Sequence, residues 1–136
     1  MIRFTLLICL LILLSCKKEE AKDQKWKNEK IEVVDFEELE AILSQKDGKI
    51  RIVNFWATWC PPCRSEMPAM QQVFMDYEQD GFVVLAVNNL RQDRRESVEA
   101  FVLEEKLTFP VLLDNSGTVS TRYQVNSMPT SFFIDP

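Results

Sequence analysis

The 136-residue sequence contains no histidine, only three glycines and only four cysteines. Without histidine, the chain can form neither a Ser-His nor a Cys-His catalytic pair, and it has no imidazole ligand for zinc. A c-type haem attachment motif is also excluded, because Arg64 follows Cys63 where that motif requires histidine.

Positive charge is scarce over most of the chain. The net charge at pH 7 is −5, and residues 31–136 hold nine Lys and Arg against seventeen Asp and Glu. A domain with this balance and no basic stripe binds phosphate backbones poorly, so we expect no nucleic acid partner. The composition, 46% hydrophobic and 27% charged, is typical of one globular domain.

The longest apolar run lies at the N-terminus, where residues 4–14 read FTLLICLLILL. At about 1.5 Å per residue it covers only roughly half of a hydrocarbon core, so residues 1–15 are predicted to be a signal peptide and not a membrane span. The sequence Ser15-Cys16 at its end resembles the lipobox of bacterial lipoproteins. That resemblance implies lipidation of Cys16; the alternative is an ordinary signal peptide in which Cys16 has no role.

The next segment, residues 16–30, is predicted to be a charged tether. Ten of residues 17–30 are charged, and Trp26 is their single large apolar side chain, so little surface can be buried to offset the ordering entropy. Lys18-Glu19-Glu20 resembles a short signal that directs some Bacteroidetes lipoproteins to the cell surface. The alternative is a solvated linker.

From residue 31 onwards, strand and helix patterns alternate. Runs rich in β-branched and aromatic residues predict strands over 31–34, 50–57, 82–87, 111–113 and 130–134. Helical periodicity predicts helices from Asp35 to about Asp47, after Cys60, over 94–107 and over 118–123. The alternation predicts an α/β fold around a largely parallel sheet.

Two local patterns refine the helices. Asp35 and Glu38 have the spacing of a capping box at a helix start. On the helix after Cys60, one apolar stripe is predicted to face the core, and its members are Met67, Met70, Phe74 and Tyr77.

Cys60-Pro61-Pro62-Cys63 lies where a predicted buried strand passes into a helix, which is the setting of a thioredoxin-like redox motif. Cys60 would start the helix, where the macrodipole and free N–H groups favour a thiolate. The two prolines lack N–H groups, so only those of Cys63 and Arg64 remain to face the Cys60 sulfur. We therefore expect an activated Cys60 that is not an extreme thiolate.

A zinc site and a structural disulfide are the alternative roles for the cysteine pair. A zinc site needs four ligands, and the pair supplies two of them. A structural disulfide suits an exported protein, but a loop this small stabilises the fold little. Redox chemistry is favoured, and we expect no metal and no cofactor.

Residues 53–68, VNFWATWCPPCRSEMP, resemble the signature of the TlpA/ResA-like thioredoxin-fold reductases, which are membrane-anchored thiol-disulfide oxidoreductases of the bacterial cell envelope. Residues 127–130 resemble the cis-proline loop of that family, and residues 87–109 resemble its helix-containing insertion. The resemblance implies a thioredoxin-like α/β fold, with a central mixed sheet flanked by helices.

The resemblance also implies roles for individual residues. Cys60 would be the attacking nucleophile, Cys63 the resolving thiol, and Pro129 a cis residue that faces them. The implied substrate-binding residues are Trp59, Met128, Pro129 and Thr130.

A proton acceptor for Cys63 is a separate question. Thioredoxins carry a buried Asp at the position of Asn54, and Asn54 cannot titrate. Glu66, three residues after Cys63 on the same helix, matches a Glu that this group uses near its redox pair. The alternative is that Glu66 is an ordinary surface carboxylate.

The implied function is reduction of disulfides in envelope proteins such as apocytochrome c, with electrons from a membrane thiol transporter. A lipid anchor would hold the domain at the membrane facing the periplasm, with the cell surface as the alternative. The competing functions are a thiol peroxidase on the same fold and a redox-inactive lipoprotein that serves as a binding module.

The family continues past the strand predicted at residues 130–134 into another strand and a C-terminal helix. The resemblance therefore implies that the thioredoxin-like domain, residues 31–136, is C-terminally incomplete. We expect residues 130–134 to form an apolar edge strand.

Overall fold

The computed structural model describes residues 31–136. The predicted signal peptide, Cys16 and the predicted tether lie outside the described residues. Strands and helices alternate along the chain in this order: β1 (Ile31–Val33), α1 (Phe36–Leu43), β2 (Ile50–Trp56), α2 (Pro61–Tyr77), a 3-10 helix (Glu78–Asp80), β3 (Phe82–Asn89), α3 (Arg95–Glu104), β4 (Val111–Asp114), α4 (Thr118–Arg122) and β5 (Thr130–Ile134).

The five strands form one mixed sheet in the order β1-β4-β3-β2-β5. The first four pair in parallel, and β5 pairs with β2 in the antiparallel direction. The central strand β3 is buried over its last six residues, which explains its continuous apolar sequence. The predicted α/β fold with a largely parallel sheet is confirmed, and β5 lies at one edge of the described sheet.

The start of α1 is fixed by the predicted capping box. The N–H of Glu38 donates to Oδ1 of Asp35 at 2.8 Å, and the N–H of Asp35 donates to Oε2 of Glu38 at 2.9 Å. These two bonds satisfy N–H groups that have no partner inside the helix.

The helix α1 is shorter than predicted. The helix ends at Leu43, and Asp47 lies in the following turn, where its carboxylate accepts bonds from the Lys49 N–H at 3.2 Å and from Nη2 of Arg51 at 2.6 Å. The helix α3 also ends before the predicted residue 107, because Lys106 adopts a left-handed φ of 52°.

The apolar stripe on α2 is partly as predicted. Met67 and Phe74 are buried, whereas Tyr77 is 54% exposed and Gln71 is buried in its place. At about 100° per residue, Gln71 lies roughly 40° around the helix from Met67, and Tyr77 lies roughly 80° away. The buried face is therefore centred on Met67, and Tyr77 falls outside it.

Gln71 can be buried in the core because it makes two hydrogen bonds to the loop before β4. Its Nε2 donates to Oγ1 of Thr108 at 2.7 Å, and its Oε1 accepts from the Thr108 N–H at 2.7 Å. The contact ties the helix that carries the cysteines to the loop beside Phe109, whose ring packs edge-on against Phe74 at 6.0 Å.

The cysteine pair belongs to the main hydrophobic core. Cys60 and Cys63 pack in the same cluster as Trp56, Met67 and Phe101, and the rings of Trp56 and Phe101 lie 5.3 Å apart. The two cysteines are therefore part of the buried core of the described chain. Over residues 31–136, every helix is too short or too polar to cross a membrane.

The Gln71 contact gives a stability prediction with a control one residue away. Gln71→Ala removes two hydrogen bonds and should lower the free energy of unfolding by about 1–2 kcal/mol. Gln72→Ala, at an exposed position, should change it by about 0.5 kcal/mol or less. Urea denaturation of both variants measures the difference, and equal effects would contradict a stabilising role for Gln71.

Candidate active site

The site lies at the carboxyl edge of the two central strands. Because β2 and β3 are parallel neighbours with Trp56 paired opposite Asn88, the loops that follow them leave the sheet side by side. The loop after β2 leads into Cys60, and the loop after β3 runs from residue 90 to Arg94. This edge of a parallel sheet is where α/β proteins commonly place their functional groups.

Cys60 is the residue that caps the N-terminus of α2. Its backbone is extended, with φ −95° and ψ 104°, and Pro61 and Pro62 occupy the first two helical positions. One turn further on, Cys63 is joined to Cys60 by a disulfide, with 5.3 Å between their Cα atoms. The two predicted cysteines are therefore brought together, with Cys60 4% and Cys63 0% exposed.

One N–H group, not two, faces the Cys60 sulfur. The N–H of Cys63 donates to Sγ of Cys60 at 3.3 Å. The N–H of Arg64 donates instead to the Cys60 carbonyl oxygen at 3.1 Å, so the expectation that it would face the sulfur was wrong. The reason is that Arg64 forms the first regular hydrogen bond of the helix. A thiolate at Cys60 would be stabilised by the Cys63 N–H and by the helix dipole.

A second loop comes close to the sulfur from the side of β5. The peptide bond between Met128 and Pro129 is cis, as the family resemblance implied. The carbonyl oxygen of Met128 lies 3.7 Å from Sγ of Cys60, and Thr130 begins β5 opposite Phe55 of β2. The antiparallel pairing of β5 with β2 thus brings Met128 close to Cys60, and two further predicted substrate-binding residues, Pro129 and Thr130, follow Met128 directly in the chain.

Glu66 is held by a polar contact inside the fold. Nδ2 of Asn54, a fully buried residue of β2, donates to Oε1 of Glu66 at 2.8 Å and to Oγ of Ser131 at 3.0 Å. The sequence analysis predicted neither of these contacts: it assigned Asn54 no role other than replacing a titratable Asp, and it assigned no role to Ser131. An asparagine between Val53 and Phe55 in a buried strand was the signal that could have drawn attention to this contact.

Trp59 projects from the loop between β2 and the cysteines. Its side chain is 57% exposed, and its indole Nε1–H donates to the Gln92 carbonyl oxygen at 2.7 Å. The neighbouring Pro61 and Pro62 are exposed as well. The residues on either side of Cys60 in the chain are therefore exposed, whereas Cys60 itself is buried.

The sequence analysis assigned no role to Asp93, although Asp93 contacts the loop that carries Trp59 and Cys60. Its carboxylate accepts bonds from the N–H and the hydroxyl of Thr58, both at 2.6 Å, from Nδ2 of Asn88 at 2.9 Å, and from the Arg94 N–H at 2.8 Å. Burial raises the pKa of the Asp93 carboxyl, but these four hydrogen bonds together lower it by more, to below its ordinary value of 3.8. The only signal in the sequence for such a role of Asp93 was its position after a buried strand.

The family is decided by a match over most of the chain. The sequence profile of the AhpC/TSA family matches residues 18–136. The chain belongs to the AhpC/TSA family.

Similar proteins carry related names. The thiol-disulfide oxidoreductase ResA of Oceanobacillus iheyensis is 44% identical over 95 residues, which are 69% of this chain and 48% of that protein. The chain spans about half the length of the curated relatives that it matches first. The predicted resemblance to ResA-like proteins is thereby confirmed.

Two solved structures establish the fold. StoA from Bacillus subtilis superimposes with a TM-score of 0.59 at 35% identity, over 65% of this chain and 66% of that one. A thiol:disulfide interchange protein of the thioredoxin family from Chlorobium tepidum gives a TM-score of 0.61 at 33% identity, over 71% and 66% of the two chains. The predicted thioredoxin-like fold is confirmed.

The lowered pKa of Asp93 gives a pH-dependent stability prediction. A carboxylate whose pKa is lower in the folded chain stabilises the fold above its ordinary pKa of 3.8, and this contribution is lost as the pH falls through the folded value. Asp93→Asn should therefore destabilise the fold at pH 7, and its difference from the wild type should shrink towards pH 3.

The measurement is the urea midpoint of both proteins across that pH range. Glu96→Gln removes the same charge from a side chain that is 76% exposed, and it should leave the midpoint close to the wild-type value throughout. A constant difference between Asp93→Asn and the wild type would show that the Asp93 charge contributes nothing to stability.

Proposed function

We propose that the chain is a thiol-disulfide oxidoreductase that reduces disulfides in cell-envelope proteins through Cys60 and Cys63. The observation that carries the proposal is the Cys60–Cys63 disulfide at the N-terminus of α2, with the Met128 carbonyl oxygen 3.7 Å from the Cys60 sulfur. The thiol-disulfide oxidoreductase names of similar proteins support it.

The reaction follows thiolate exchange. In the reduced pair, the Cys60 thiolate attacks one sulfur of a substrate disulfide, that S–S bond breaks, and a mixed disulfide forms while the departing substrate sulfur takes up a proton. Cys63 then loses its proton and attacks the Cys60 sulfur. The second substrate thiol is released, the Cys60–Cys63 disulfide forms, and two electrons have passed to the substrate.

The burial of the two sulfurs supports this division of roles. Cys63 is fully buried, whereas Cys60 retains slight exposure next to the exposed Trp59. A substrate disulfide therefore meets Cys60 first, and Cys63 is left to attack the mixed disulfide from inside. Glu66, fixed by Asn54, is the carboxylate that we assign to accept the Cys63 proton.

Turnover as a reductant requires an electron source, and we assign that role to a membrane thiol transporter. Lipidation of Cys16 and a charged tether over residues 16–30 would keep the domain near such a partner. The proposed location is the periplasmic side of the envelope, with the cell surface as the alternative, and apocytochrome c is a proposed substrate.

The competing functions make different demands on the cysteines. A thiol peroxidase of this fold needs a peroxide-reactive cysteine in a loop ahead of the helix, and residues 31–136 contain only Cys60 and Cys63. A redox-inactive binding module has no need for two cysteines placed at disulfide distance. Both alternatives predict that reduced protein transfers no electrons to a disulfide substrate.

Trapping experiments test the division of roles between the cysteines. Cys63→Ser should accumulate mixed disulfides with envelope proteins, because the resolving step is lost, whereas Cys60→Ser should accumulate none. Non-reducing electrophoresis followed by mass spectrometry identifies the trapped partners. Equal trapping by both variants would contradict the assignment.

The direction of electron flow needs a separate measurement. The equilibrium of the wild-type Cys60/Cys63 pair with glutathione shows whether the pair acts as a reductant or as an oxidant.

Glu66 is tested through the pH dependence of the reaction. Glu66→Gln should slow the reduction of a protein disulfide by about tenfold or more and change the shape of the pH–rate profile, because the proton acceptor is lost. Asp76→Asn is the matched control, since it removes an exposed carboxylate from the same helix. If the two variants had the same profile as the wild type, Glu66 would be an ordinary surface charge.

A further inference from the structure

The loop that carries Trp59 and Cys60 is held from the side by the loop after β3. Asp93 binds Thr58 through both of its carboxylate oxygens: Oδ2 accepts from the Thr58 N–H and Oδ1 from the Thr58 hydroxyl, each at 2.6 Å. The next residue along, Trp59, donates from its indole to the carbonyl oxygen of Gln92 at 2.7 Å. Two consecutive residues of one loop are therefore bound by two consecutive residues of the other.

Asp93 is itself held in place from the sheet. Asn88, fully buried at the end of β3, donates from Nδ2 to Oδ2 of Asp93 at 2.9 Å and to the Trp56 carbonyl oxygen at 3.3 Å. The same amide thus contacts the last residue of β2 and the carboxylate that binds the loop after β2. The position of Thr58 relative to the sheet is set by this chain of contacts.

A carboxylate suits this position better than an amide. Each oxygen of Asp93 accepts two hydrogen bonds, one from Thr58 and a second from Asn88 or from the Arg94 N–H. An amide has one acceptor oxygen, and its NH₂ group would meet at least one donor. The lowered pKa of Asp93 agrees with a carboxylate that stays ionised in this setting.

The contact between Asp93 and Thr58 affects the position of the Cys60 sulfur, because Cys60 is only two residues after Thr58 in the chain. The Cys60 N–H donates to the Ala57 carbonyl oxygen at 3.2 Å, so residues 57–60 form a tight turn with Thr58 and Trp59 inside it. Fixing Thr58 therefore fixes the turn that sets the backbone of Cys60 as the cap of α2. Trp59, the residue directly before Cys60, is also fixed, and its indole is exposed.

We propose that Asp93 is a positioning residue for thiol-disulfide exchange, which holds the Thr58–Trp59 turn so that the Cys60 sulfur and the Trp59 indole keep the geometry that a substrate disulfide meets. The proposal rests on the proposed function and adds to it a residue that acts through Thr58. Gln92 contributes through its main chain, so its side chain can vary.

The test compares Asp93→Ala with Asp93→Asn in the full chain. Both variants remove the same charge, but the amide keeps an acceptor for Thr58, so a difference between the two measures the contacts and not the charge. Thr58→Val removes the hydroxyl donor and keeps the N–H. Glu96→Gln is the control for loss of an exposed negative charge three residues away.

Three readouts are taken at a temperature well below the Tm of every variant. The first is the Trp59 indole signal in ¹H–¹⁵N spectra, which is assigned with the Trp59→Phe variant. The second is the midpoint pH for alkylation of reduced Cys60, measured by mass spectrometry of the peptide that contains Cys60. The third is kcat/KM for the reduction of insulin disulfides. The first two require no turnover.

In Asp93→Ala we expect a shifted Trp59 signal, an alkylation midpoint above that of Asp93→Asn, and a loss of about tenfold to a hundredfold in kcat/KM, because small displacements of reacting groups have effects of that size. In the Trp59 signal and in kcat/KM, Thr58→Val and Asp93→Asn should fall between Asp93→Ala and the wild type. Glu96→Gln should match the wild type in all three readouts.

The proposal is overturned if Asp93→Ala lowers the Tm but matches Glu96→Gln in all three readouts, because Asp93 would then only stabilise the fold. If Asp93→Ala does not fold, Asp93→Asn and Thr58→Val decide in the same way. A wild-type protein that is alkylated at Cys60 but reduces no disulfide would refute the proposed function, and the Trp59 signal and the alkylation midpoint would still decide the role of Asp93.

Discussion

The parallel pairing of β2 with β3 is the constraint on which the rest of the site depends. With Trp56 opposite Asn88, both strands end at the same level, and the loops that follow are forced into contact. One loop leads directly into the cap of α2, and the other supplies the groups that bind it. On its other side, β2 pairs with β5, which brings the Met128–Pro129 bond towards Cys60. A shift of one residue in either pairing would turn the side chains to opposite faces and separate these loops.

The sulfurs are part of the core and not an addition to its surface. Cys60 and Cys63 pack with Trp56, Met67 and Phe101, so their positions are set by the same close packing that holds the sheet against its helices. The polar contacts lie around this packed centre, with Asn54 and Glu66 on one side and Thr58 and Asp93 on the other. A packed apolar centre with polar groups at its margin holds the reacting sulfurs of the proposed function in fixed positions.

Much of the fold followed from local sequence patterns. The strands, the capping box of Asp35 and Glu38, and the position of Cys60 at a helix start all depend on residues close together in the chain, and all were predicted. The cis bond before Pro129 came from family resemblance, because no local pattern separates it from an ordinary trans bond.

The contacts that were missed join distant segments. Asp93 lies 35 residues from Thr58, and Ser131 lies 77 residues from Asn54, so the register of the sheet decides whether they meet. The buried position of Gln71 depended on which face of α2 meets β3 and the loop before β4. The sequence did not decide this, because Met and aromatic residues occur on more than one face of the helix. Arg64 was misjudged for a simpler reason, since its N–H is already used by the helix.

The short spacing of the two cysteines has a thermodynamic consequence. Only two residues separate Cys60 from Cys63, so the crosslink removes little freedom from the unfolded chain. In a cycle that links folding to oxidation, any difference in unfolding free energy between the two redox forms must equal the difference in reduction free energy between the folded and unfolded chain. Most of that difference therefore arises within the native state, from the contacts that the two sulfurs make there. The Cys63 N–H, the start of α2 and the carbonyl of Met128 are the groups next to Cys60 whose replacement or displacement would change the reduction free energy of the disulfide.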